Sequence, residues 1–127
     1  MKSKIAIRVL LSILIPLALF HLGVLLNIVP VEIIWGGRLN SNSLVYLLES
    51  ISILVTLYLV MILSIKGKFL GPILPPKVVK ISLWFFLILF TLNTIGNAFA
   101  KTTTEQIFAL ITLIISLLLG IVLKDKG

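Results

Sequence analysis

Long apolar runs alternate with short polar or glycine- and proline-bearing segments along this chain, and four of them stand out, at roughly 9–29, 44–65, 81–100 and 107–123. An α-helix rises 1.5 Å per residue, so about 20 apolar residues cross a hydrocarbon core about 30 Å thick. Three of the runs reach that length, and the fourth, at roughly 17 residues, sits at the short limit. The stretch 110–119 is continuously apolar, without the alternation of a membrane strand, and so short a chain would hardly close a barrel. The pattern predicts an all-α fold: an integral membrane four-helix up-down bundle, one transmembrane domain over residues 1–127. Lys2, Lys4 and Arg8 precede the first run as in a secretory signal, but the apolar stretch is longer than a signal's and residues 27–30 offer no cleavage site, so it is expected to remain as a helix. Gly67, Gly71, Pro72, Pro75 and Pro76 are expected to interrupt the helix over residues 66–80, and Pro30, Trp35 and Gly36-Gly37 to form an interfacial turn.

Composition agrees with a bilayer as solvent. Of 127 residues 60% are hydrophobic and 12% charged, with a mean hydropathy of +1.27, far outside the range of soluble domains. The net charge of +7 would suggest nucleic acid, but its distribution gives a different reading. With the N-terminus placed in the cytoplasm, that side receives Lys2, Lys4, Arg8, Lys66, Lys68, Lys77, Lys80, Lys124 and Lys126, and the opposite side only Arg38 and Lys101. Such a bias predicts both termini in the cytoplasm and no nucleic-acid partner. A basic inner face also attracts anionic lipid. The chain has no cysteine, which excludes disulfides, thiolate metal sites, iron–sulfur clusters and a vitamin K epoxide reductase-like role. One histidine and four acidic residues leave few ligands, so no metal and no cofactor is expected.

The polar residues are sorted by depth. Glu32, Glu49 and Glu105 fall on the outer half with His21, Asn93, Asn97, Arg38 and Lys101, while the inner half of the bundle is nearly free of ionisable groups. Counted from the ends of the apolar runs, His21, Glu49 and Asn93 lie at one level, about 8–12 Å below the outer surface. A charged group there is costly unless it faces a partner or a wet cavity. Asn93, Asn97 and Lys101 repeat at i, i+4, i+8, Asn42, Tyr46 and Glu49 at i, i+4, i+7, and Glu105, Ala109, Thr112, Ser116 and Gly120 form a stripe suited to close packing. Three such stripes predict one cleft, and Pro16 is expected to kink the first helix below His21. Amides and hydroxyls in membrane helices commonly serve as interhelical glue, whereas a carboxyl as deep as Glu49 usually marks function. The expected binding residues are His21, Glu49, Asn93, Asn97, Arg38 and Lys101; no catalytic residue is assigned.

Two stretches, Val31–Leu39 (VEIIWGGRL) and Leu92–Lys101 (LNTIGNAFAK), resemble segments of a family of small uncharacterised bacterial four-helix integral membrane proteins. The resemblance implies a multi-pass protein of the bacterial inner membrane (cell membrane) and carries no activity. In size the chain is also similar to the small multidrug resistance transporters and the fluoride channels. Those transporters carry their membrane glutamate in the first helix, where this chain has His21, and both families work as antiparallel dimers from weakly biased chains, so neither assignment is adopted.

Three functions are compatible with the residues. The first is an outward-facing intramembrane polar cluster that binds or transports a small solute or proton: Glu49 takes a proton or cation, His21 shares it, and Asn93 and Asn97 supply hydrogen bonds. The second is a noncatalytic membrane scaffold or accessory subunit, in which the cluster fixes helix register. The third is an intramembrane enzyme on a lipid-like substrate, with Arg38 or Lys101 on its head group. Expected partners are the lipid bilayer, a small solute or lipid head group, and a second copy or another membrane protein.

Overall fold

A computed structural model describes residues 2–26, 28, 42–100 and 102–125. Among them the chain is helical, with four α-helices and no strand: α1 Lys2–Leu25, α2 Asn42–Lys66, α3 Pro76–Ala98 and α4 Thr103–Lys124. All four are long and apolar enough to cross a membrane. They form a ring in which α1 packs on α2 and α4, α3 packs most closely on α4, and the α2–α3 seam is the loosest of the four. The start of α1, the end of α4 and the α2–α3 connection lie at one end of the bundle, the loop end.

The helix boundaries differ from those the apolar runs predict, and local chemistry explains why. Helix α3 begins at Pro76, five residues before the run at Ile81, because Pro75 takes the N-cap and Pro76 the first position, where a missing N–H is harmless. The prolines therefore start a helix as well as interrupt one, and Lys77 and Lys80 belong to it. Thr102 caps α4, its hydroxyl accepting from the Glu105 N–H at 3.2 Å, so this helix gains a polar first turn ahead of the apolar run at Ile107. Helix α1 ends at Leu25, short of the predicted Val29, and its helical backbone runs through Pro16 uninterrupted.

The loop-end half is oily inside. Ile7, Leu10 and Leu14 of α1, Leu59, Ile62 and Leu63 of α2, Leu83 and Phe86 of α3, and Ile115, Leu119 and Val122 of α4 form one buried cluster. Of the predicted stripe on α4, Glu105, Thr112 and Ser116 are buried against the neighbouring helices. Gly120 is not a point of close approach, because an added Cβ would meet nothing within 4 Å. A glycine that does require its missing side chain is Gly67. A Cβ there would lie 2.9 Å from the Phe69 ring and 3.1 Å from the Ile7 methyl, so its absence lets the end of α2 sit against α1.

Candidate functional site

At the end of the bundle opposite the loop end, four helices contribute to one cavity of about 500 Å³. Helix α1 supplies Phe20 and His21, α2 supplies Glu49, Ser52 and Thr56, α3 supplies Asn93 and Asn97, and α4 supplies Glu105 and Thr112. His21 lies four residues before the end of α1, Glu49 seven into α2, and Asn93 five before the end of α3. At 1.5 Å per residue these are depths of about 6, 10 and 8 Å. The level is thus shared but shallower for His21 than the apolar run suggested, because α1 stops at Leu25.

The centre of the site is a contact between helices. His21 Nδ1 lies 2.7 Å from Glu49 Oε2, with the Glu49 side chain 0% and the His21 side chain 20% exposed. Two acceptor lone pairs cannot face each other at that distance, so one proton must sit between nitrogen and oxygen. The pair is either imidazolium with carboxylate, or a neutral imidazole whose tautomer matches the carboxyl. The ring also places an edge toward Phe20, which meets Phe108 of α4 at a centroid distance of 5.1 Å and an interplanar angle of 61°, closing the α1–α4 side with aromatic contacts.

Other polar groups divide into those already engaged and those that are not. Ser52 donates to the Leu48 carbonyl at 2.8 Å and Thr56 to the Ser52 carbonyl at 2.7 Å, both back-bonds within α2. Thr112 lies 2.9 Å from the Phe108 carbonyl and 2.9 Å from the Thr94 hydroxyl, tying α4 to α3. The Glu105 carboxylate accepts from the Thr102 hydroxyl at 2.9 Å. Together with the cap bond from its own N–H, this makes Glu105 half of a reciprocal helix cap, a role signalled by the T-x-x-E spacing of Thr102 and Glu105. By contrast, the carboxamides of Asn93 and Asn97 and the Nε2 of His21 line the cavity without a hydrogen bond to any described residue.

His21, Glu49, Asn93 and Asn97 come to one cavity. Asn97 is half-buried, but Asn93 is exposed and not interior, and the exposed Ile51 of α2 and Phe85 and Leu92 of α3 line the cavity beside it, on the two helices with the loosest seam. Tyr46 does not join Glu49 on an inward stripe: it is 37% exposed where Glu49 is fully buried. Arg38 and Lys101 lie outside the described residues, as does Glu32. Ser52 and Thr56 were not singled out by sequence reasoning. Their signal is the i, i+3, i+7 spacing from Glu49, which places all three on one helical face. Among the described residues no three His, Asp or Glu side chains converge as a metal site would require.

Comparison of the chain with protein-family models, with curated proteins and with solved structures gives no match, so the site is read from its geometry alone.

Proposed function

We propose that this is a small bacterial inner-membrane protein with both termini in the cytoplasm, whose outward-facing cavity binds a proton and a small solute. The observation that carries the reading is the fully buried Glu49 held 2.7 Å from His21 on a cavity of about 500 Å³ that also presents two amides with no hydrogen-bond partner among the described residues. A register-fixing scaffold would need the His21–Glu49 contact but neither the space nor the idle amides, and this difference favours binding over the scaffold or accessory reading. Among the described residues the loop-end half adds buried hydroxyls such as Ser82 and Ser116 but no buried ionisable group, so one chain supports binding better than a conduit across the bilayer. The exposed Ile51, Phe85 and Leu92 on the cavity wall suit a solute that reaches the cavity from within the membrane, its apolar part against them and a hydrogen-bonding or cationic part at Glu49 and the amides. A lipid head group meets that description.

Among the described residues the titratable groups that line the cavity are His21, Glu49 and Glu105, and the polar side chains of α3 there are the amides Asn93 and Asn97. The test is an acid titration of the full chain in lipid nanodiscs, followed by infrared difference spectroscopy. A carboxyl signal that is absent in Glu49→Gln, coupled to an imidazole signal absent in His21→Gln, is the expected result. An alkylammonium probe should displace the titration in the wild type and leave it unmoved in Asn97→Leu. Spectra identical in wild type and Glu49→Gln across the range where the protein stays folded would remove the reading.

A further inference from the structure

A second cavity, larger than the one at the polar end, lies at the opposite end of the bundle. About 780 Å³ open at the loop end, beneath the turn that follows α2, with Lys66, Lys68 and Lys80 on the walls and Leu83, Val122 and Leu123 beneath. Among the described residues the acidic group on it is Asp125, at the C-cap of α4, so three described cations accompany one carboxylate. Two further cations stand close by: Lys4 Nζ lies 5.7 Å and the Arg8 guanidinium 5.9 Å from the centre of the Phe69 ring, which also lines the cavity.

A second observation concerns how Lys68 is held. Its φ of 64° is left-handed, and it is the one non-glycine residue in that region among those described. The Phe69 N–H donates to the Ser64 carbonyl at 2.9 Å and the Lys68 N–H to the Ile65 carbonyl at 3.1 Å, the two bonds of a helix-ending motif whose left-handed position is normally glycine. Here the glycine stands one residue earlier, at Gly67, because that position has no room for a side chain. The left-handed position therefore carries a cation whose side chain lines the cavity, at a conformational cost that a glycine would avoid.

We propose that this cavity is a binding site for a phosphate-bearing anionic amphiphile, with the phosphate among Lys66, Lys68 and Lys80 and the apolar part on Leu83 and Val122. A basic pocket between helices at the end of a bundle has the chemistry that recognises acidic head groups, and the apolar floor favours a phospholipid over free phosphate as the source. The site is independent of the His21–Glu49 cavity and of which membrane face the loop end occupies.

The experiment measures the thermal unfolding midpoint of the full chain in neutral detergent, titrated with phosphatidylglycerol, phosphatidylcholine or inorganic phosphate. Phosphatidylglycerol should raise the midpoint in a saturable way and phosphatidylcholine should not. The double variant Lys68→Gly/Lys80→Gln should weaken the apparent affinity about 25-fold, taking each lysine near an anionic head group as worth roughly five-fold. Lys68→Gly alone also relieves the left-handed strain, so a fold defect cannot mimic its loss of binding. Lys77→Gln/Lys124→Gln removes the same charge from that end without touching the cavity and should bind as the wild type does. Stabilisation by inorganic phosphate that is lost in the first double variant would support the site with free phosphate as its source. Equal effects of the two phospholipids, an unaltered affinity in Lys68→Gly/Lys80→Gln, or equal losses in the two double variants would overturn the proposal.

Discussion

The two ends of the bundle handle polarity in opposite ways. At the end holding His21 and Glu49, ionisable groups are drawn between the helices and satisfied there by one another. At the loop end, the interior is aliphatic and aromatic, and the cations are kept at the rim, on the walls of a cavity or over the face of Phe69. The difference teaches that burial and address are separate matters. A buried polar group in a membrane helix needs a partner and thereby marks a site, whereas rim lysines can snorkel and mark a site only when the backbone assembles a cavity beneath them. The seam between α2 and α3 runs between the two ends: both cavities take wall residues from these two helices, and Tyr58 and Ser82 bridge the seam with a hydroxyl pair at 2.8 Å.

The largest expected effect belongs to the oily half. Phe86 is buried among Leu83, Phe90 and Tyr58, with ring centroids 6.0 Å from Tyr58 and 6.4 Å from Phe90. Phe86→Ala should cost about 3–5 kcal/mol in an equilibrium unfolding measurement in mixed micelles, because the cavity it leaves cannot collapse between four packed helices. A loss below about 1 kcal/mol would mean that this half is not the stabilising one. Next comes Gly67→Ala, where the added Cβ meets Phe69 and Ile7 at 2.9 and 3.1 Å. The expected cost is about 1–3 kcal/mol from overpacking, with α1 pushed away from the end of α2. Removal of the polar contact should cost less than either. Interhelical hydrogen bonds in membranes average about 0.6 kcal/mol with a maximum near 1.7, since the separated helices also find partners. Glu49→Leu should therefore fall at about 0.6–1.7 kcal/mol, and Glu49→Gln, which keeps a donor for Nδ1, should fall below it.

How much of this was legible beforehand follows from the range of each signal. Helix existence is written in every residue of an apolar run, so four helices and an oily half could be read directly. The meeting of His21 and Glu49 was legible because depth along a helix is simple counting and two ionisable groups at one level in lipid have few alternatives to each other. Rotation about the helix axis was not legible to the same degree. A polar spacing such as Tyr46 and Glu49 shares a face in projection, but the crossing of α1 and α2 decides which member points inward, and only Glu49 does. Caps escaped for a related reason. Thr102 and the Pro75-Pro76 pair act over one turn, below the resolution of a hydropathy run, and they lengthen α3 and α4 at their starts. The loop-end cavity depends on the left-handed turn at Lys68, which arises because α1 crowds Gly67, a contact between residues some 60 positions apart that no local pattern carries.

That turn provides the smallest and sharpest test of the contrast between the ends. A left-handed conformation costs an ordinary L-residue about 1–2 kcal/mol. Glycine at Lys68 would remove that cost but would give up about 0.5–1 kcal/mol through the greater freedom of the unfolded chain. The balance is a net stabilisation of about 0.5–1 kcal/mol for Lys68→Gly in neutral detergent, where no acidic lipid engages the lysine. In bilayers rich in phosphatidylglycerol the same substitution removes a cation from the cavity wall, so the sign should shrink toward zero or reverse. The measurement is a pair of unfolding free energies, one in each medium. Two equal values would reduce Lys68 to a helix terminator, and the loop end would then differ from the His21–Glu49 end in having cations without a site.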